Sequence, residues 1–546
     1  MPHQKVLKPI ILEECSLKKP PLPSLPTPEI LYPLDIPDIA VETELDFLLL
    51  EIPPRYVPMM PNGLGYIDNL LKSSGIRKQI LDLSILLYHR YHCSRLLDKK
   101  IHIRPSGTPM PVDPWDKTMR AEWHGDDFLA FFKPDLREAL DKIEQARPRI
   151  LGVSLNSFNR KIAGWFLGEI RRRLPKTLVM VGGYDCVYPQ VGPRLFSDFD
   201  YMVVGEAENS LIPLLRSLLA GERPGDVPGA LSKFDSPGRV FSPAPLPDSL
   251  DLYDFPRYEW ISHSIYQTFD RKHLVPITGS RGCNWGRCNF CAECFAFRKR
   301  SPKSVADEIA HWTALGFHAF HFNESDVNGD PANLHSICSE IIKRDLAVTM
   351  VGQIRIDKHN TPEYFQHLAK AGFTHLRFGV DGLSTHALAL QNKGYPIELV
   401  HSNLRACRAA GIHTTVYIVI GVPGETEADI EESIANIALL KDDIDCVESL
   451  TTLILAVGSR YLSDPEKHNI RFRGDKDSIL AEHPYLIPSD LWYSEAPYID
   501  QTVRLERLDR IVLALDVAGI FISDFGKGRI TELKQGDQAW YPQKRS

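Results

Sequence analysis

One pattern recurs along this chain and limits its fold more than any other: a short, nearly continuous apolar run ends on glycine or a small polar residue, and an amphipathic stretch of helical period follows. The first series reads "ELDFLLLEIPP" (44–54), "GLGYIDNLLKSSG" (63–75) and "RKQILDLSI" (77–85), then, after an irregular insertion, "RILGVSLNSF" (149–158), "NRKIAGWFLGEIRRRL" (159–174), "TLVMVGGYDC" (177–186) and "FDYMVVGEAENSL" (199–211). Within 159–174, Ile162, Phe166, Ile170 and Leu174 fall at steps of four and mark a helix with one apolar face. Strands that are apolar on both faces, separated by such helices, predict a parallel sheet covered on both sides, a doubly wound domain over 44–235. Ligands of such sheets lie at the carboxyl ends of the strands, which here are marked by Ser154, Ser157, Gly182, Gly183, Gly205 and Glu206.

The pattern resumes beyond a proline-rich joint, "SPAPLPDSLDLYDFP" (242–256), within a linker set at 236–268. The expected strands are "HLVPITGS" (273–280), "FHAFHFNESD" (317–326), "AVTMVGQIRID" (347–357), "HLRFGVDGLS" (375–384), "HTTVYIVIGVPGET" (413–426) and "CVESLTTLILAVGS" (446–459). Six strand and helix units predict a partial (β/α)6 TIM-type barrel over 269–464, active at the carboxyl ends of its strands. Ser301 as N-cap, Pro302 in the first turn and Val305, Ile309 and Trp312 on one face mark its first helix. Residues 1–43 carry nine prolines in the first forty positions and read as an arm. Residues 465–546 read as a small mixed or helical C-terminal region.

The chain of 546 residues, 43% hydrophobic and 24% charged, suits an ordinary soluble protein, and its net charge of −7 without a long basic run argues against a nucleic-acid partner. No stretch approaches eighteen apolar residues and no secretory leader is evident, so no membrane span and a cytoplasmic location are expected. In a reducing compartment, clustered cysteines are ligands or catalysts more often than disulfides. Four of the ten cysteines lie in "CNWGRCNFCAEC" (283–294). Cys283, Cys288 and Cys291, in the loop after the first barrel strand, can take three irons of a [4Fe-4S] cluster and leave the fourth open. Zinc held by four cysteines is a competing reading, as is a cluster on Cys288, Cys291 and Cys294. Cys294 and Glu293 follow the trio directly, placed to approach an open iron or a substrate, against a merely structural role. Arg355, on the same strand face as Gln353, is expected as a polar contact in the site, because an unpaired arginine is costly inside a barrel. Arg281, Arg287 and the basic residues 298–300 read either as charge opposite a cluster or as a solvated loop.

The segment "RGCNWGRCNFC" resembles the signature of radical S-adenosylmethionine enzymes, whose usual spacing is CX3CX2C with an aromatic residue before the last cysteine, here Phe290. One extra residue separates Cys283 from Cys288. The resemblance extends along the barrel. "FNESD" offers Asn323, Glu324 and Ser325 where family members receive the methionyl amine, and "FGVDGLS" is similar to the turn near the ribose, with Asp381 in place of the usual glutamate. "IGVPGET" is similar to the motif beside adenine, with Gly421, Gly424 and Glu425. Upstream, "PNGLGYIDNLL", "VSLNSF", "VMVGGYDCVYP" and "YMVVGEAENSLIPLL" resemble the cobalamin-binding domain of cobalamin-dependent radical enzymes. No "DxHxxG" occurs, which favours cobalamin without a protein histidine below cobalt. A doubly wound domain for a nucleotide remains the alternative, though no "GxGxxG" is present.

The resemblance implies a [4Fe-4S] cluster, S-adenosylmethionine and cobalamin as cofactors, and a flavodoxin- or ferredoxin-type electron donor. It implies a methyltransferase that moves a methyl group from methylcobalamin to an unactivated carbon of a small-molecule or peptide substrate. Two alternatives stand beside it: a cobalamin-dependent radical cyclase or rearrangement enzyme without methyl transfer, and, more remotely, a non-catalytic protein that binds metal and nucleotide.

Overall fold

The computed structural model describes residues 32, 34–293 and 295–523. These form two compact units, one of residues 32, 34–248 and 252–276, the other of 249–251 and 277–523. Among the described residues no helix is long and apolar enough to cross a membrane.

The first unit is built on six strands, β1 (Phe47–Glu51), β2 (Lys78–Asp82), β3 (Ile150–Ser154), β4 (Leu178–Gly182), β5 (Tyr201–Val203) and β6 (Ala230–Ser232), in the order β2-β1-β3-β4-β5-β6. β1 to β5 are parallel and β6 pairs antiparallel with β5. All five residues of β1 are buried, as a strand covered on both faces requires. The winding reverses between β1 and β3, and this switch point opens a crevice at the carboxyl ends of the strands. The run 77–85 is strand only as far as Asp82. The Asp82 carboxylate accepts the Ile85 amide at 3.1 Å and caps a helix, Leu83–Leu96, that begins at once.

Two segments read as connectors are packed. Before β1, the Glu42 amide donates to the Gln79 side chain at 2.9 Å and Gln79 donates to the Ala40 carbonyl at 3.0 Å, which covers the edge strand β2. Ile39 is buried there, and Tyr32 donates to His89 Nδ1 at 2.8 Å. Residues 252–276, partly within the expected linker, fold back onto the helix Asn62–Leu71, where Asn69 donates to the Phe255 carbonyl and Lys72 pairs with Glu259 at 2.8 Å.

The second unit carries β7 (Val275–Ile277), β8 (Ser280–Arg281), β9 (Arg298–Lys299), β10 (Ala319–Phe322), β11 (Thr349–Ile354), β12 (Phe373–Asp381), β13 (His413–Ile420) and β14 (Cys446–Thr452), then the short β15 (Leu455–Ala456), β16 (Ile470–Phe472), β17 (Leu486–Ile487), β18 (Trp492–Glu495), β19 (Tyr498–Ile499) and β20 (Phe521–Ile522). Its main sheet runs β20-β14-β13-β12-β11-β10-β7, with each pairing from β10 to β20 parallel. Six of these strands are those read from the sequence, and β20 adds a seventh at the edge. Ser301 caps the helix Pro302–Ala314 through the Ser304 amide, as its start signals indicate. Residues 465–523 join the same unit. β16, β18 and β19 make a small antiparallel sheet, and the helix Gln501–Ala518 packs against the helix Glu427–Leu439.

Candidate functional site

Cys283, Cys288 and Cys291 lie in the loop that leaves β8, and on one side this loop is anchored to the segment 390–395. The Asn289 amide donates to the Gln391 carbonyl at 2.9 Å and its side chain to the Leu390 carbonyl at 2.8 Å. Trp285 Nε1 donates to the Asn392 carbonyl at 2.9 Å, and Asn392 returns a bond to the Arg287 carbonyl at 2.8 Å. The Trp285 ring lies on the backbone of Gly394, whose φ is +75° and where an added Cβ would stand 2.2 Å from the ring. The residue extra to the usual spacing is thus accommodated by a tryptophan docked on a glycine. From the other side, the Tyr461 amide donates to the Asn289 carbonyl at 2.9 Å and Asn284 donates to the Gly329 carbonyl at 2.8 Å.

Burial pushes the Cys291 thiol up to about 11 and the Cys288 thiol upward as well. Each cysteine of the trio lies within the electrostatic reach of the others. Thiolates so gathered need positive partners. Among the described residues no three His, Cys, Asp or Glu side chains converge on a single ion, and cysteines of a cubane each take a separate iron. Three thiols carried by one short loop are a donor set that fits such a cluster. Cys294, next in the loop, lies outside the described residues.

The positive charge around this loop comes from residues that sequence reading only half found. Arg355 extends from the end of β11 with its guanidinium 4.5 Å from the Trp285 ring centre and 4.9 Å from that of Tyr395, and it donates to the Lys393 carbonyl. These contacts place it against the cysteine loop. Lys393, which no motif marked, is 4% exposed. Its ammonium donates to Asp381 at 2.6 Å and to the Gly379 carbonyl at 2.7 Å, and lies 5.6 Å from the centre of the Phe290 ring. Burial works against that charge, but Asp381, Tyr395 and Cys288 outweigh it and hold the pKa up. Arg300 is not part of this field. It is buried in an ion pair with Glu308 and donates to the Thr278 carbonyl at 3.2 Å. Lys299 pairs with Asp330.

The other rim motifs take individual positions. Asn323 and Ser325 are exposed beyond β10, while Glu324, between them, is buried on the opposite face beside a small cavity lined by Phe322, Val327, Leu334 and Ile337. Glu324 Oε1 accepts the Gly279 and Ser280 amides at 2.5 and 2.9 Å, Oε2 has no partner, and burial raises the carboxyl to about 8. Glu324 thus braces the start of the cysteine loop, and Asn323 and Ser325 face the mouth. Ser325 donates to Glu293 at 2.5 Å, and Glu293 also accepts the Phe295 amide at 3.2 Å. Asp381 ends β12 with φ +61° and is engaged by Lys393. Gly421 has φ +77° and lies against Arg504, which donates to its carbonyl at 3.2 Å. Glu425 accepts the Gly421 amide at 2.8 Å and pairs with Arg507 at 3.2 Å, and Gly424 lies against Leu390. The C-terminal helix therefore clamps the glycine motif.

Inside the sheet, successive strands contribute polar side chains where a barrel core is ordinarily branched and apolar. His321 (β10), Gln353 (β11), Arg377 (β12), Tyr417 (β13) and Glu448 (β14) are all half-buried. Arg377 Nε donates to Glu448 at 2.7 Å, Tyr417 donates to Glu448 at 3.5 Å, and Gln353 donates to the Tyr417 hydroxyl at 3.4 Å. Burial, with Arg377 nearby, lowers His321 to about 4, which keeps its ring neutral.

The carboxyl edge of the first sheet is bare by comparison. Gly183 is exposed with φ +104°, and its Cβ position lies 2.6 Å from the Leu155 carbonyl oxygen, so only glycine fits. Tyr184 beside it is 61% exposed. Ser154, Gly182, Gly205 and Glu206 are half-buried along the same edge. Ser157 donates to Asp185 at 3.2 Å, and Arg160 holds that carboxylate at 2.5 and 2.9 Å. Strand ends with so few side chains leave room for a broad, flat ligand.

Residues 277–437 match the model of the Radical SAM superfamily. Among curated proteins, the anaerobic magnesium-protoporphyrin IX monomethyl ester cyclase of Synechocystis is 26% identical over 44% of this chain and 50% of its own length. The cobalamin-dependent S-adenosylmethionine radical enzyme OxsB, solved with aqua-cobalamin and S-adenosylmethionine, superposes with a TM-score of 0.63 at 14% identity over 87% of this chain and 66% of its own. The radical S-adenosylmethionine methyltransferase TsrM of Kitasatospora setae, solved with tryptophan and a SAM analogue, superposes at 0.61 and 17% identity over 90% of this chain and 99% of its own. The chain thus spans half of the cyclase and about two thirds of OxsB, and its likeness to the two solved enzymes is one of fold. The cysteine loop and the strands around it lie in the segment that matches the Radical SAM superfamily model, and the two-sheet fold is shared with the two solved enzymes.

Proposed function

We propose that the protein is a cobalamin-dependent radical S-adenosylmethionine methyltransferase acting on an unactivated carbon of a polar small molecule or peptide. The observation that carries the reading is the pairing, in one chain, of a braced three-cysteine loop at the rim of one parallel sheet with a glycine-lined edge after β4 and β5 of another. S-adenosylmethionine at a four-iron cluster supplies a 5′-deoxyadenosyl radical that abstracts hydrogen from carbon, and cobalamin supplies the methyl group.

The chain's own residues position these groups. Cys283, Cys288 and Cys291 hold three irons, and the 390–395 segment keeps their loop in register. Asn323 and Ser325 offer polar contacts for the methionyl amine, Asp381 and Gly379 shape the turn near the ribose, and Gly421 and Gly424 let the backbone approach adenine. Arg355, beside the trio, orients a polar group at the mouth. Below it, the belt from His321 to Glu448 presents neutral hydrogen-bonding groups and one internally compensated ion pair. That lining suits a substrate rich in hydrogen-bonding groups rather than a hydrocarbon. In the first unit, Ser154, Ser157, Gly182, Gly183, Gly205 and Glu206 form the edge proposed for cobalamin. A flavodoxin- or ferredoxin-type protein is the proposed electron donor.

Anaerobically reconstituted protein given cobalamin, a strong reductant and methyl-labelled S-adenosylmethionine tests this. Label in the bound corrinoid with matching S-adenosylhomocysteine, together with 5′-deoxyadenosine, is the expected result. Deoxyadenosine without either would favour a cyclase or rearrangement, the activity named for the Synechocystis relative. None of the three products would remove both readings.

A further inference from the structure

We propose that Lys393 is the residue that tunes the reduction potential of the three-cysteine cluster, with Asp381 as its opposing charge. The proposal rests on the cluster reading above and gives the 390–395 segment an electrostatic task beyond anchoring the loop.

A lysine is rarely buried unless paired, and here the ammonium is committed to Asp381 Oδ2 and the Gly379 carbonyl while it lies over Phe290, the residue between Cys288 and Cys291 in the loop. Stability alone explains this poorly, because apolar residues of similar volume often replace a buried ion pair at no loss. The carboxylate partner also sits at φ +61°, in the left-handed region. Two further contacts fix where the charge is placed. The Lys393 carbonyl accepts from Arg355, and its neighbour Gly394 carries the Trp285 ring of the same loop.

Reduction adds one electron to an assembly already made negative by three thiolates. A cation held nearby in a poorly solvated setting stabilises the reduced form, and a carboxylate in the same place destabilises it. The lysine and the aspartate should therefore act in opposite directions, which no packing role would produce.

The test is a redox titration of the full-length, anaerobically reconstituted protein, followed by electron paramagnetic resonance, with iron counted in every sample. Lys393→Met should lower the potential, weakening the reduction equilibrium about tenfold, or ~59 mV for one electron. Asp381→Asn, which leaves the ammonium uncompensated, should raise it, and Lys393→Arg should stay near the parent. Unchanged potentials, or shifts of Lys393→Met and Asp381→Asn in the same direction, with iron retained, would overturn the proposal. Should Lys393→Met fail to hold iron, Asp381→Asn decides alone, and any result but a positive shift refutes it. A parent protein that takes up no cluster refutes the underlying reading instead, and this proposal falls with it.

Discussion

At the end of β4 the chain presents Gly182, Gly183 and the exposed ring of Tyr184, whereas at the end of β12 it presents Asp381 locked to a buried Lys393. Both ends belong to parallel sheets built from the same alternation of apolar strand and amphipathic helix. Their last residues differ because their proposed tasks do. A broad, flat cofactor needs strand ends cleared of side chains, while a cluster wrapped in thiolates needs compensating cations held at fixed distances. Loss of function in the two regions should therefore be separable, and variants in one should spare the other.

The largest effect is expected in the second region. Cys283→Ala, Cys288→Ala or Cys291→Ala should each abolish stable iron binding and deoxyadenosine formation, while cobalamin binding by the first unit persists. Cys338→Ala and Cys407→Ala, at solitary buried thiols, should retain full iron. Metal analysis and visible spectra of the same preparations check both. In the first region, Gly183→Val places a branched side chain at φ +104° against the Leu155 carbonyl. It should cost about 2–3 kcal/mol and cobalamin binding, yet leave iron content unchanged.

Gly394→Ala is the counterpart in the second region, since its Cβ would meet the Trp285 ring. A destabilisation of about 1–3 kcal/mol with partial iron loss is expected, read by denaturation and iron counting. Glu51, buried at the end of β1 beside Asp82, offers a pH test. Burial, reinforced by Asp82, lifts its carboxyl from 4.5 to about 8 in the folded protein. The folded state thus keeps a proton that the unfolded chain releases, so the stability gained is complete below 4.5 and is lost as pH rises through 8. Glu51→Gln should therefore raise the melting temperature more at pH 8.5 than at pH 5, by the equivalent of roughly 4 kcal/mol. Smallest of all, Ser301→Ala should cost ~1 kcal/mol by removing an N-cap, with both cofactors retained.

The two regions also differ in what their sequences disclosed. Strand ends were legible because the pattern that makes a parallel strand stops abruptly, so Ser154, Gly182, Gly205 and Asp381 could be placed without coordinates. The cysteine trio was legible because three cysteines close in sequence share one loop. Lys393, Trp285 and Gly394 were not. The contacts of Trp285 with Asn392 and Gly394, and of Lys393 with Phe290, join positions more than a hundred residues apart, and no spacing rule marks the pairing of Lys393 with Asp381 twelve residues before it; the single local hint was a glycine in "NKGYP". Glu324 was named with Asn323 and Ser325 for the methionyl amine; period-two alternation buries it, and there it accepts the Gly279 and Ser280 amides. Asp82 ended a strand two to three residues early because one carboxylate supplied the helix cap. The C-terminal helix gave no fold signal because its buried face carries Arg504 and Arg507, which reach Gly421 and Glu425 about eighty residues away, Arg504 also donating to the Ser489, Trp492 and Ile499 carbonyls.

The central claim is a four-iron cluster on Cys283, Cys288 and Cys291 with one iron open to an outside ligand. The most direct measurement is electron paramagnetic resonance of the reduced, anaerobically reconstituted protein before and after S-adenosylmethionine is added, with iron and zinc quantified. The account predicts about four irons per chain and a cluster signal that changes when S-adenosylmethionine binds. Stoichiometric zinc in place of iron, or a cluster signal indifferent to S-adenosylmethionine, would contradict it.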